Sequence, residues 1–245
     1  MKALVLIKET FRRKPLILAA HLSLLTIYIL LGLFWTPEPG QAGAYVMALS
    51  GIMLPLALSD GVFGSDILSG RFRSIVTKPI RLPELYVWRV LGQIFQGAIH
   101  LGLASCILYG LHAINGKGDM THFGGWMLCT FLLICAWVVL SSTLSLMAKS
   151  EHNSLLLFFL VLLGFVMFTL QDATVLPRLQ TISRQVVPVI NHVFPPVVFL
   201  GRSSMGGLAW KDLPDNLIHV GLQILIYGST GIVILCRRQY TPHRQ

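Results

Sequence analysis

Residues 16–34 read LILAAHLSLLTIYILLGLF, nineteen positions without a charged side chain. No other feature constrains the fold as strongly. A bilayer core about 30 Å thick takes about 20 apolar residues in helix to cross. Lipid offers no water to backbone N–H and C=O groups, so such a run must be helical. The pattern recurs at 44–63, 90–114, 123–148, 154–170 and 217–236. Only the second of these runs contains a charge, Asp60 near its end, and Pro55 predicts a bend there. The sequence therefore predicts an all-α polytopic membrane protein with six transmembrane helices in one domain, residues 1–245. Composition agrees: 54% of residues are hydrophobic and 12% charged, against about 25% charged in soluble domains. Mean hydropathy is +0.71. These values exclude an ordinary soluble enzyme, a disordered chain and a disulfide scaffold.

Six spans put both termini on one side of the membrane. The excess of Lys and Arg in cytoplasmic loops sets which side. With the N-terminus inside, Lys2, Lys8, Arg12, Arg13, Lys14, Arg71, Arg73, Lys78, Arg81, Arg89, Lys149, Arg237, Arg238 and Arg244 are cytoplasmic. Only Lys117, Arg178, Arg184, Arg202 and Lys211 are then external. Fourteen against five predicts N-in and C-in, in the cell (inner or plasma) membrane. The same split accounts for the net charge of +9 by topology and attraction to anionic lipid, with no nucleic acid among the partners. The first run is read as a retained helix, not a cleaved signal. It is longer than the usual signal core, and no A-x-A-like site follows it.

Metal and redox chemistry find little support in the sequence. Cys106, Cys129, Cys135 and Cys236 all fall within or at the ends of spans, and no two have C-x-x-C spacing. They read as small packing residues. Met120, His122, His152, His192 and His219 are scattered, and no two His sit at i, i+4. No metal site is predicted. Gln93, Gln96 and His100 repeat at steps of three and four, so they share one face of the third span. Ser141, Ser142, Thr143 and Ser145 mark the inner end of the fourth, and Gln223 lies in the sixth. Such groups line a pathway or bond neighbouring helices. Asp60, Gln93, Gln96 and His100 are the candidate gate or pathway residues.

Three further segments carry information. Residues 1–15 space Leu4, Ile7, Lys8 and Phe11 for an amphipathic helix in the cytoplasmic interface, basic residues toward lipid phosphates. Residues 64–88 form a cytoplasmic connection in which Ser65 and Asp66 open a short helix. Ile67, Leu68, Phe72, Ile75 and Val76 give it an apolar face, and Arg71, Arg73 and Lys78 a basic one. Lys78-Pro79 breaks it, and Pro83-Glu84 starts a second helix leading into span three. Residues 171–216 form a long external segment. Within it, 186–200 is apolar but interrupted by Pro188, Pro195 and Pro196, and reads as a re-entrant element or a small external cap.

In this order the segments resemble the permease subunits of ABC-2-type ATP-binding-cassette transporters. The resemblance spans nearly the whole chain. It lies in Ile7-Lys8-Glu9 before span one, in Asp66-Ile-Leu-Ser-Gly70, in Lys78-Pro79-Ile80-Arg81, in Leu91-Gly92, and in Phe194-Pro195-Pro196 of the external loop. It implies an exporter-like permease without its own nucleotide site. No G-x-x-x-x-G-K-[ST] motif occurs, and Gly116-Lys117-Gly118 lacks the spacing. ATP and Mg would sit on a separate cytoplasmic ATPase subunit. The 64–88 connection would be the coupling helix docked on it, and two permease chains, an identical pair in the simplest case, would enclose one pathway. On this reading Asp66, Arg71, Arg73, Lys78 and Arg81 contact the ATPase. Phe72, Ile75 and Val76 pack into its groove, while Lys8 and Glu9 brace the N-terminal helix. Substrate and direction are not specified, though the resemblance favours export.

Two readings of other classes stand beside it. One is an intramembrane, rhomboid-like protease using Ser203 and His219. It is disfavoured because Ser203 falls in an external loop and is followed by Ser204, not Gly. The other is a membrane anchor or assembly subunit that transports nothing.

Overall fold

The computed structural model describes residues 15–34, 50–51, 54–59, 63–68, 81–114, 123–147 and 213–237, and the single positions or short runs 181, 184–186, 189 and 193. The described residues are almost entirely helical, and no strand occurs among them. The elements are α1 (Pro15–Phe34), α2 (Leu54–Ser59), α3 (Gly64–Leu68), α4 (Leu82–Ile114), α5 (Phe123–Met147) and α6 (Leu213–Arg237). Three stretches are long and apolar enough to cross a membrane: Leu82–Leu111, Phe123–Met147 and Leu217–Arg237. They match the third, fourth and sixth expected spans. α1 matches the first, α2 falls inside the second, and the fifth, 154–170, lies outside the described residues. So do 1–14, with Lys8 and Glu9, and Asp60, and most of 171–216.

The helix boundaries follow local chemistry. α4 starts eight residues before the expected span. Arg81 caps it, its carbonyl accepting from the Leu85 N–H at 3.0 Å. Pro83 lies in the first turn, where its missing N–H has no helical partner to lose. Glu84 in that turn favours the positive end of the helix. No breaker separates Glu84 from Val90, so the first turns and the span are one helix of 33 residues, about 50 Å long. α6 has the same signature, Pro214 and Asp215 in its first turn and Arg237 in its last. Pro55 lies in the first turn of α2, a position that tolerates proline.

α5 is the centre of the described bundle. Two-thirds of its span is buried, against one-third of α4 and about one-sixth of α6, and it packs on α2, α4 and α6. Pairs down the α4–α5 contact run in opposite chain directions. Ser142 meets Gln93, Ile134 faces Gly97, Met127 meets Ser105 and Phe123 meets Tyr109. The two helices are therefore antiparallel, as the eight-residue connection between them requires. The C-terminal half of α6 meets the start of α4 and the end of α5: Gly231 lies against Tyr86, Gly228 against Val139 and the Tyr227 carbonyl against Thr143. α6 thus runs in the same direction as α5. The core joins Leu54, Leu58, Phe63, Leu85, Tyr86, Ile134 and Val138 from these elements. Phe95, Leu103, Leu222 and Leu225 are exposed on the outward faces, an arrangement that suits helices surrounded by lipid.

Candidate functional site

Hydrophobic helices that carry buried polar groups concentrate their chemistry there, because each such group is costly in lipid. α4 carries a line of them. Arg89, Gln93, Gln96 and His100 follow at steps of four, three and four, and all are buried, from 0% exposed at Gln93 to 7% at Arg89. The line runs over about 16 Å of helix.

At one end of the line Arg89 is paired. Its Nη2 donates to Asp66 Oδ2 at 2.6 Å, with both side chains buried. The guanidinium also sits 5.1 Å from the centre of the Phe63 ring. Phe63 in turn stacks on Tyr86 at 5.5 Å, nearly parallel. α3 begins directly after Phe63, and the Phe63 carbonyl accepts from the Ile67 N–H at 3.0 Å. The segment leaving α2 is thus pinned beneath the start of α4 by a charge pair and an aromatic stack. Asp66, which the resemblance assigns to an ATPase contact, is buried and bonded to Arg89 of its own chain. Arg81 and Glu84, further out, are exposed and 4.0 Å apart, a pairing of little energetic weight.

A second set of bonds ties three helices together at the same end. The Thr143 hydroxyl lies 3.0 Å from the Val139 carbonyl and 2.9 Å from the Tyr227 carbonyl. Tyr86 Oη is 2.9 Å from Thr143 Oγ1. Carbonyls only accept, so the Thr143 proton goes to them and the Tyr86 hydroxyl donates to Thr143. α4, α5 and α6 meet at this one hydroxyl.

Further along, Ser142 Oγ donates to Gln93 Oε1 at 3.2 Å. Ser141 and Ser145 donate instead to carbonyls of their own helix, a local bond common for Ser in such helices. His100 Nδ1 lies 2.8 Å from His21 Nδ1 of α1, with ring centres 4.8 Å apart. Tyr28 follows His21 by two helical turns and shares its face of α1. Its ring centre is 6.3 Å from that of His100, and its hydroxyl is 2.5 Å from Ser50 Oγ. Gln223 Nε2 and His219 Nε2 are 3.2 Å apart on α6. Ser203 and Ser204 lie outside the described residues.

The structure therefore brings Gln93, Gln96 and His100 onto one buried face, as their spacing predicts. It adds Arg89, His21, Tyr28 and Ser50, which the sequence did not single out as site residues. His21 and His100 are 79 positions apart, and no spacing rule links residues across two separate spans. Arg71, Phe72, Arg73, Ile75, Val76 and Lys78 lie outside the described residues. Among the described residues no three His, Cys, Asp or Glu come together as metal ligands would. The chain matches no protein-family model and no curated protein.

Proposed function

We propose that the chain is the transmembrane permease subunit of an ABC-2-type ATP-binding-cassette transporter, an exporter working as a pair of permease chains in the cell membrane. A separate cytoplasmic subunit binds ATP and Mg and drives it through the segment between the second and third spans. The observation that carries this reading is the buried Asp66–Arg89 pair at 2.6 Å. A segment that merely linked two spans would need no such anchor. A lever does: force applied to it must reach the membrane helices without being lost in a loose joint. Asp66 and Arg89 couple α3 to α4, and Tyr86 and Thr143 pass the connection to α5 and α6. Asp66 is then a positioning residue, while Arg71, Phe72, Arg73, Ile75, Val76, Lys78 and Arg81 form the docking surface, with Lys8 and Glu9 beside it. ATP binding shifts the permease only by favouring one arrangement over another, through rigid-body movement of packed helices.

The experiment is affinity purification of the tagged chain from membranes of its own host in mild detergent. A P-loop ATPase is expected in the eluate. Charge reversal of both Arg71 and Arg73 to Glu removes it and leaves insertion of the permease unchanged. An eluate from the unaltered chain that holds no such ATPase, or undiminished recovery with the reversed pair, overturns the reading.

A further inference from the structure

Four buried polar atoms on α4 have no hydrogen-bond partner among the described residues: Gln93 Nε2, Gln96 Nε2, Gln96 Oε1 and His100 Nε2. Their side chains are at most 1% exposed. A buried group left unpaired costs about 1–3 kcal/mol, and lipid supplies nothing to offset it. The four are not dispersed. They fall within two turns on one face, whereas the continuation of that face, Ala104 and Leu108, is apolar and well packed.

Contacts to α5 and to α1 flank them. At Gly97 the α4 backbone comes so close to α5 that an added Cβ would stand 2.6 Å from Ile134 Cγ2. Across the same contact Ser142 donates to Gln93 at 3.2 Å. On the α1 side the histidine pair holds Nδ1 to Nδ1. A neutral imidazole has one N–H, so one ring donates and the other accepts. Whichever does so, His100 Nε2 is left over as a lone donor or a lone acceptor. Separation of α4 from its neighbours here would give up the Ser142–Gln93 and His21–His100 bonds and the apolar contact at Gly97. Water reaching this face of α4 would satisfy all four polar atoms at once.

We infer that the buried polar face of α4 at 93–100 is a seam that opens to water, and that the packed arrangement is its closed state. The groups along it are amides, an imidazole and a hydroxyl, so the site takes water as a neutral hydrogen-bonding ligand. The inference goes beyond the transport reading and stands without any ATPase.

The test is hydrogen–deuterium exchange on the full chain in lipid nanodiscs. Amides at 93–100 are expected to exchange about tenfold faster than those at 103–110 of the same helix, because opening free energy sets the rate. Gln96→Leu removes two of the four unpaired atoms and is expected to slow 93–100 toward the rate of 103–110. Fraying from the helix end would not respond to that change. Gly97→Ala wedges the seam and is expected to speed exchange, with Ile134→Ala in the same chain reversing the effect. Equal protection of the two segments in the unaltered chain overturns the inference, as does exchange at 93–100 that Gln96→Leu leaves unchanged. The comparison within the unaltered chain decides the matter even if a variant fails to fold.

Discussion

Arg89 is a cation buried to 7% exposure in the first turns of an apolar helix, and its partner determines what it costs. Breaking a buried pair from one side leaves an unpaired charge and costs about 3–5 kcal/mol, whereas replacing both partners with apolar groups is often neutral. Asp66→Ala is therefore expected to lower stability by about that amount, and the double variant Asp66→Ala with Arg89→Met to recover most of it. Denaturant unfolding of the purified protein in detergent measures both, and additive losses in the double variant would show that the two residues do not act as a pair. The sequence identified Asp66 by its place in a family-like run and turned it outward. It could not show that the chain folds back so that residue 66 meets residue 89. A carboxylate near an apolar region has two ways to lower its cost, solvent or a counter-charge, and local sequence does not say which is in reach. Gln93, Gln96 and His100 were legible because helical periodicity alone puts them on one face. His21 was not, since it reaches His100 from another span.

At the scale of the elements, glycines mark where the described helices approach closely. A Cβ at Gly231 of α6 would stand 2.6 Å from Tyr86 Oη and 2.7 Å from two of its ring carbons. Tyr86 cannot yield easily, being stacked on Phe63 and bonded to Thr143. Gly231→Ala is expected to cost about 1–3 kcal/mol, the usual range for overpacking. Tyr86→Leu in the same chain relieves the clash and should make the double variant less unstable than the sum of the single ones. Tyr86→Phe keeps the ring carbons in place and should not. Thermal unfolding across this series separates the steric cost from the lost hydrogen bond, which alone is worth about 1 kcal/mol. Element limits were readable wherever a start signal was present. Pro83 and Glu84 announce α4, and Pro214 with Asp215 announce α6. The uncharged run begins eight residues after the start of α4, because Arg89 interrupts it. The helix does not stop there, since Asp66 supplies the charge that lets Arg89 remain inside it.

For the whole molecule, the directions of α4, α5 and α6 fix which ends lie together, and this holds whatever the function. Tyr86 near the start of α4, Thr143 near the end of α5 and Tyr227 to Gly231 in the last part of α6 meet in one cluster. Arg81, Met147 and Arg237 therefore lie at one end of the bundle, and Ile114 with Phe123 at the other. α4 is about 50 Å long and a bilayer core about 30 Å thick, so its two ends cannot share a surface if it spans. Residues Arg81, Ile114, Met147 and Arg237 are exposed, which suits them to labelling. Cysteines introduced singly at these four positions, in a chain whose native cysteines are replaced by alanine, are expected to divide in sealed vesicles. Arg81→Cys, Met147→Cys and Arg237→Cys should react with a membrane-impermeant maleimide from one side, and Ile114→Cys from the other. The basic residues around the first three predict that their side is the cytoplasm. Labelling of Arg81→Cys and Ile114→Cys from the same side would rule out α4 as a span. Labelling of Arg81→Cys from outside would move the 64–88 connection away from the cytoplasm, and no ATPase could then act on it.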